Sequence, residues 1–252
     1  MRQAIMFLTL LSCLSSCHPV RPDLSTAEMI NAVPFAEAPA EWRELLTAVV
    51  KIRTPNTGIC TGTFISPDWL LTAAHCVTDN VDGAVRQVKL GQISSLDVFR
   101  EECYEAGAPG SPCDHALVRF PSGTSRANGV IRYPSVDTMF SPETVQQVAL
   151  AGYGRDDFKK SGRPLFGFNS IAKYKHPFIY LRGRFNTFPS DNETVSQRGD
   201  SGGPLFSTDS QRIIATTASG YRREDRYIAK YLTLGTASAL ALFSQAGVNL
   251  EP

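Results

Sequence analysis

From Thr47 onward the chain divides into short apolar, β-branched or aromatic runs separated by turn-forming pieces, and this rhythm is its strongest constraint on folding. The runs are Thr47–Arg53, Thr61–Ser66, Trp69–Ala73, Val85–Leu90, Ala116–Phe120, Val145–Gly152, Ile179–Phe185, Ile213–Thr217 and Tyr227–Leu234. Between them lie pieces rich in Gly, Pro, Asn, Asp and Ser, such as Thr54–Gly58, Ser122–Gly129, Asp156–Pro164 and Pro189–Gly199. Strand-length runs that follow one another without helical periods argue for an all-β barrel or sandwich rather than alternating β and α. Ser122 to about Glu143 is the expected linker between two halves of similar size. One helix is expected, over Ser238–Ala246, where Ala and Leu predominate and Gly247 supplies the stop. With 252 residues, 42% of them apolar, each half has the material for a core.

The N-terminus reads differently. Met1-Arg2-Gln3 precedes an apolar run of 11 residues, Ala4–Leu14, and then Ser15-Ser16-Cys17. A basic start and a run of that length fit a signal for export over residues 1–16, while a bilayer span needs roughly 20 residues. Leu14-Ser15-Ser16-Cys17 is similar to a bacterial lipobox, which makes Cys17 the expected lipidation site and the bacterial cell envelope, or the medium, the expected location. Residues 17–44, rich in Pro and Ala, read as a tether or propeptide. Removal of residues 1–16 would take away Cys13 and Arg2, leaving 236 residues with 24 basic and 24 acidic side chains. Such a balance exerts no general pull on nucleic acid. Cys60, Cys76, Cys103 and Cys113 then remain for folding; they permit three pairings, and their spacings favour two short local loops. Neither spacing suits a zinc knuckle, so in an exported chain disulfides are the better reading, with no metal and no cofactor expected.

Three separated segments carry chemistry: Leu71-Thr72-Ala73-Ala74-His75-Cys76, Asp114-His115-Ala116-Leu117-Val118-Arg119-Phe120 and Gly199-Asp200-Ser201-Gly202-Gly203-Pro204-Leu205. A serine among glycines on a tight turn can sit where backbone amides converge, as an oxyanion requires. Its hydroxyl is a weak nucleophile until a base takes the proton, and neutral imidazole suits that task near pH 7. Of the four histidines, His18 lies in the tether and His176 precedes Pro177 outside any recognisable setting, which leaves His75 and His115. The imidazole needs a buried acceptor to hold its tautomer.

The stretch Cys60 to Cys76, the Asp114 segment, the Gly199 segment and the turn Ala151-Gly152-Tyr153-Gly154 together resemble the chymotrypsin/trypsin-like serine proteases, over about Ala48–Ala246 and with His, Asp and Ser in that family's order. The resemblance implies two six-stranded antiparallel barrels, about 45–123 and 144–235, a C-terminal helix at about 236–247, and an active site in the cleft between the barrels. It implies Ser201 as nucleophile, His75 as general base, Asp114 as its orienting partner, and the Gly199 and Ser201 amides as oxyanion hole. It also implies a Cys60–Cys76 staple around the histidine loop; a Cys103–Cys113 bridge is inferred from spacing alone. His115, adjacent to Asp114 on an expected strand, faces the other way. The expected partner is a protein or peptide substrate cleaved by a monomeric enzyme, held at a membrane if Cys17 is acylated. A protease-like binding module without activity, or an envelope lipoprotein, is the alternative.

The sequence departs from the family in three places. Six residues before Ser201, where trypsin-like members carry an Asp at the pocket floor, stands Val195; Gly220 is the expected pocket glycine. An apolar floor does not offset the desolvation of a buried Lys or Arg, so cleavage after basic residues is disfavoured. Arg198, Arg222, Arg223 and Arg226 offer an acidic preference, or simply a solvated loop. Met29-Ile30-Asn31-Ala32 is the nearest piece to the family's activated N-terminus, and an activating cut, by that resemblance, falls before Ile30. The hydroxyl expected behind the triad Asp falls on either Thr217 or Ser219.

Overall fold

The computed structural model describes residue 29 and residues 32–54, 58–107, 110–154, 162–184, 193–224 and 226–250. The expected signal, Cys17, Ile30 and Asn31 lie outside them. Among the described residues no helix is long and apolar enough to cross a membrane.

Two antiparallel sheets make up the body. Strands β2 (Val49–Thr54), β3 (Gly58–Phe64), β4 (Trp69–Ala73), β5 (Lys89–Leu90), β6 (Ile93–Ser94), β7 (Asp97–Arg100) and β8 (His115–Arg119) form the first, in the order β6-β5-β2-β3-β4-β8-β7. The second contains β1 (Val33–Pro34), β9 (Gln147–Gly152), β10 (Leu165–Ser170), β11 (Lys173–Lys175), β12 (Phe178–Arg184), β13 (Pro204–Ser207), β14 (Ile213–Arg223) and β15 (Arg226–Thr233), ordered β1-β10-β9-β13-β14-β15-β12-β11. The sheets have seven and eight strands rather than six each, because two-residue pieces count separately and β1 adds to the far sheet through Val33 opposite Phe166.

Regular structure therefore begins ahead of residue 45. Helix α1 (Ala40–Leu46) presents Trp42, Leu45 and Leu46 to the core between the sheets. The Trp42 ring meets Phe166 at 5.3 Å and Phe206 at 5.6 Å between centroids, and full burial of a large apolar side chain contributes roughly 1.5–3 kcal/mol. Separate clusters fill each half: Ile52, Phe64, Leu70 and Phe120 in the first, and Leu150, Ile179, Leu205 and Tyr231 in the second. A short helix α2 (Thr124–Ala127) interrupts the linker. The last helix, α3 (Ala237–Gln245), starts where Thr236 Oγ1 accepts from the Ala239 amide at 3.1 Å. It ends at Gly247, where the Gly247 and Val248 amides donate back to Ser244 and Phe243 and satisfy carbonyls the helix leaves open.

Candidate active site

Strand pairing brings His75 and Asp114 together. Strands β4 and β8 run antiparallel with Ala73 opposite His115, so the turn after one and the residue before the other meet at one corner of the sheet. His75 sits in the 3-10 turn Ala74–Cys76, where the Ala74 amide donates to the Asp114 carbonyl at 3.1 Å. His75 then addresses both carboxylate oxygens: its amide donates to Asp114 Oδ1 at 3.0 Å, and its Nδ1 lies 2.9 Å from Oδ2. Asp114 is fully buried and the His75 ring is 13% exposed. With Nδ1 carrying its proton toward the carboxylate, Nε2 is left as the basic nitrogen.

The serine reaches this corner from the other sheet. Thr217 bonds to both glycines after Ser201 and so extends the β13–β14 pairing back to the turn: the Gly202 amide donates to Thr217 O, and the Thr217 amide to Gly203 O, each at 2.8 Å. Thr61 on β3 ties that turn to the first sheet. Its amide donates to Ser201 O at 2.9 Å, and its hydroxyl donates to Gly199 O at 3.0 Å and accepts from the Tyr153 amide at 3.0 Å. The approach is close enough to require glycine at 202: φ is +78° there, and a Cβ would lie 2.1 Å from Thr72 Oγ1. Disulfides join Cys60 to Cys76, bracketing His75, and Cys103 to Cys113, just before Asp114.

Among the described residues the amides of Gly199 and Ser201 donate to no protein group, and the Ser201 hydroxyl makes no hydrogen bond. Two unspent donors two residues apart, beside a partly exposed hydroxyl, are chemically suited to a developing oxyanion. Asp200 between them is turned inward, accepting from the Gly154 amide on one oxygen and the Gln197 amide on the other, both at 2.7 Å. Complete burial pushes this carboxyl up to about 7, against the pull of those two amides.

The Trypsin family profile matches residues 38–235, more than half of the chain. The chain belongs to the trypsin family. It is 28% identical over 207 residues to "Putative peptidase Cgl1093" of Corynebacterium glutamicum, covering 78% of this chain and 66% of that protein. It is likewise 28% identical over 208 residues to an "Uncharacterized peptidase" of Corynebacterium glutamicum (strain R), with the same coverage. The matched stretch thus spans just under two thirds of these relatives' length. Among solved structures, a Glu endopeptidase superposes with TM-score 0.61 at 19% identity over 81% of this chain and 92% of its own. HL collagenase does so with TM-score 0.62 at 17% identity over 88% and 100%. At such identities these neighbours establish the chymotrypsin-like fold.

Several details of this trypsin-family chain bear on the sequence reading. Neither Thr217 nor Ser219 supports Asp114: among the described residues the third donor to its carboxylate is the Gly110 amide, 3.1 Å from Oδ2. His115 turns away from His75, as alternation along a strand requires. It is fully buried, with Nδ1 3.3 Å from Glu101 Oε2 and Nε2 3.2 Å from Leu232 O, and so links β8 to β15. Val195 is completely buried in the second core, and the Tyr227 ring lies across Gly220, its Cε1 2.6 Å from where a Cβ on Gly220 would be. Arg223 and Arg226 meet Arg182 and Glu224 around a cavity of about 230 Å3, while Arg198 is exposed on the serine turn. Gly110, Tyr227 and Lys230 escaped the sequence reading. Only Lys230 had a signal, as the single charge in the apolar run Tyr227–Leu234.

Proposed function

We propose that the protein is an exported serine endopeptidase that hydrolyses peptide bonds through an acyl-enzyme on Ser201. The observation that carries this reading is the pair of bonds from His75 to the buried Asp114 carboxylate, which leaves Nε2 as the free base. In the reaction Ser201 Oγ attacks the scissile carbonyl while His75 Nε2 takes its proton. Asp114 holds the ring and stabilises the imidazolium. The carbonyl oxygen, now anionic, is received by the Gly199 and Ser201 amides. His75 then passes the proton to the departing amine, and water repeats the sequence on the acyl ester. A serine–histidine bond that forms only when substrate excludes water agrees with the unbonded Ser201 hydroxyl, since such bonds are often loose before binding. Two disulfides favour an oxidising compartment, in keeping with an export signal over 1–16 and lipid on Cys17.

The pocket for the side chain before the scissile bond is assigned to Val195 and Gly220. Tyr227 packs against the core that holds Val195, and its strand partner Gly183 has no side chain to displace it. Burial and the nearby Asp200 charge both push the Tyr227 hydroxyl up, and that hydroxyl lies 2.7 Å from where a Cβ on Gly220 would be. The ring takes the space a large side chain would need, so the substrate residue is small.

A fluorogenic peptide library tests both statements. Wild type is expected to cleave best after Gly, Ala or Ser, Ser201→Ala to lose at least about 10³-fold in kcat, and Tyr227→Ala to accept larger apolar residues. Cleavage that persists in Ser201→Ala would overturn the mechanism. Best turnover after Asp or Glu would transfer specificity to the arginines near the β14–β15 hairpin.

A further inference from the structure

Among the described residues the Asp114 carboxylate takes two of its three hydrogen bonds from His75, so there only the Gly110 amide fixes it from outside the pair. That amide belongs to the loop closed by Cys103–Cys113, and a loop amide holds its direction only if the loop is held. Gly110 has φ +74°, and a Cβ there would come 2.6 Å from Ser219 Oγ, so the backbone is pressed against β14 in a conformation that glycine alone adopts readily. Its carbonyl is gripped from the far sheet: Lys230 Nζ on β15 donates to Gly110 O at 2.6 Å. The ammonium in turn sits 3.5 Å from the Phe178 ring centroid, where the π face favours the cation. The carbonyl and amide of one residue share a Cα, so pinning the first restricts the rotation that would turn the second away.

We propose that Lys230 is a positioning residue for the triad, acting through Gly110: its ammonium holds the carbonyl, and thereby keeps the Gly110 amide on Asp114 Oδ2 and the carboxylate aligned with His75. The inference rests on the Ser201–His75–Asp114 reading above. Here a main-chain amide and a cation from the opposite sheet do what was expected of a β14 hydroxyl. Burial lowers the Lys230 pKa, and the Asp114 charge raises it again, so the two charges sense one another across the glycine.

The test compares full-length wild type, Lys230→Met, Lys230→Gln and Lys230→Arg. Steady-state kinetics are read with the low-field proton signal of the His75 Nδ1–H···Asp114 bond. Lys230→Met is expected to lower kcat by about 10- to 100-fold, as small misalignments do, with KM within about twofold and the low-field signal broadened or lost. Lys230→Arg, which keeps a cationic donor, restores most of both. Should Lys230→Met fail to fold, Lys230→Gln decides by the same criteria. A folded Met or Gln variant with kcat within about twofold of wild type and an intact signal overturns the inference and leaves the triad untouched. If Ser201→Ala turns over as fast as wild type, the triad reading itself falls, and the role of Lys230 with it.

Discussion

Asp200 is a carboxylate next to Ser201 that never meets water, held by two backbone amides. Its proton is bound more tightly in the folded chain, with a pKa of about 7, than at the ordinary carboxylate value of 3.8. The folded state therefore holds more protons than the unfolded one between those values. Its contribution to stability is complete below about pH 4 and is lost as pH rises through about 7. Other carboxylates impose their own slopes, so the informative quantity is the difference between wild type and Asp200→Asn in denaturant unfolding. That difference should shift against wild type between pH 4.5 and 8; a difference independent of pH would mean that Asp200 keeps an ordinary pKa. His115 illustrates the same environment from the other side of Asp114. A strand position expected to point away from the site does so, and the buried Glu101 receives it.

At the scale of elements, the loop between Cys103 and Cys113 matters more than its lack of regular structure suggests. It delivers the Gly110 amide to Asp114, and the bond closes a sequence separation of only 10. Replacing both cysteines by serine should cost roughly 2–4 kcal/mol in stability and should lower kcat more than it raises KM, as measured by unfolding and peptide hydrolysis. Unchanged kcat would show the loop to be held without the bond. The strands that sequence revealed are those where apolar, β-branched or aromatic residues predominate: β4 has the predicted bounds, and β8, β9, β12 and β15 lie within two residues of theirs. Strand β10 was hidden because Gly167 and Asn169 interrupt its pattern, and β13 because Pro204 follows directly on the glycine turn. Only two residues of Val85–Leu90 pair as a strand at its far end. The motif residues were legible because chemistry restricts their type. Gly110 and Tyr227 were not, since each acts through a contact between segments far apart in sequence.

The whole molecule is organised around the approach of two sheets. Thr61 binds the serine turn to the strand before the histidine loop, Lys230 and His115 bind β15 to the segments on either side of Asp114, and Trp42 fills the core between the halves. Each of these ties connects the sheet beside His75 and Asp114 with the sheet beside Ser201, the three residues of the proposed triad. Catalysis on this account is a property of the interface between the sheets, and neither sheet contains it alone. The most direct test is covalent labelling of the full-length protein with a fluorophosphonate, followed by peptide mass spectrometry. The account predicts one adduct, on Ser201, abolished in Ser201→Ala and strongly slowed in His75→Ala. A folded wild type that takes up no label, or an adduct that persists in Ser201→Ala, would contradict it.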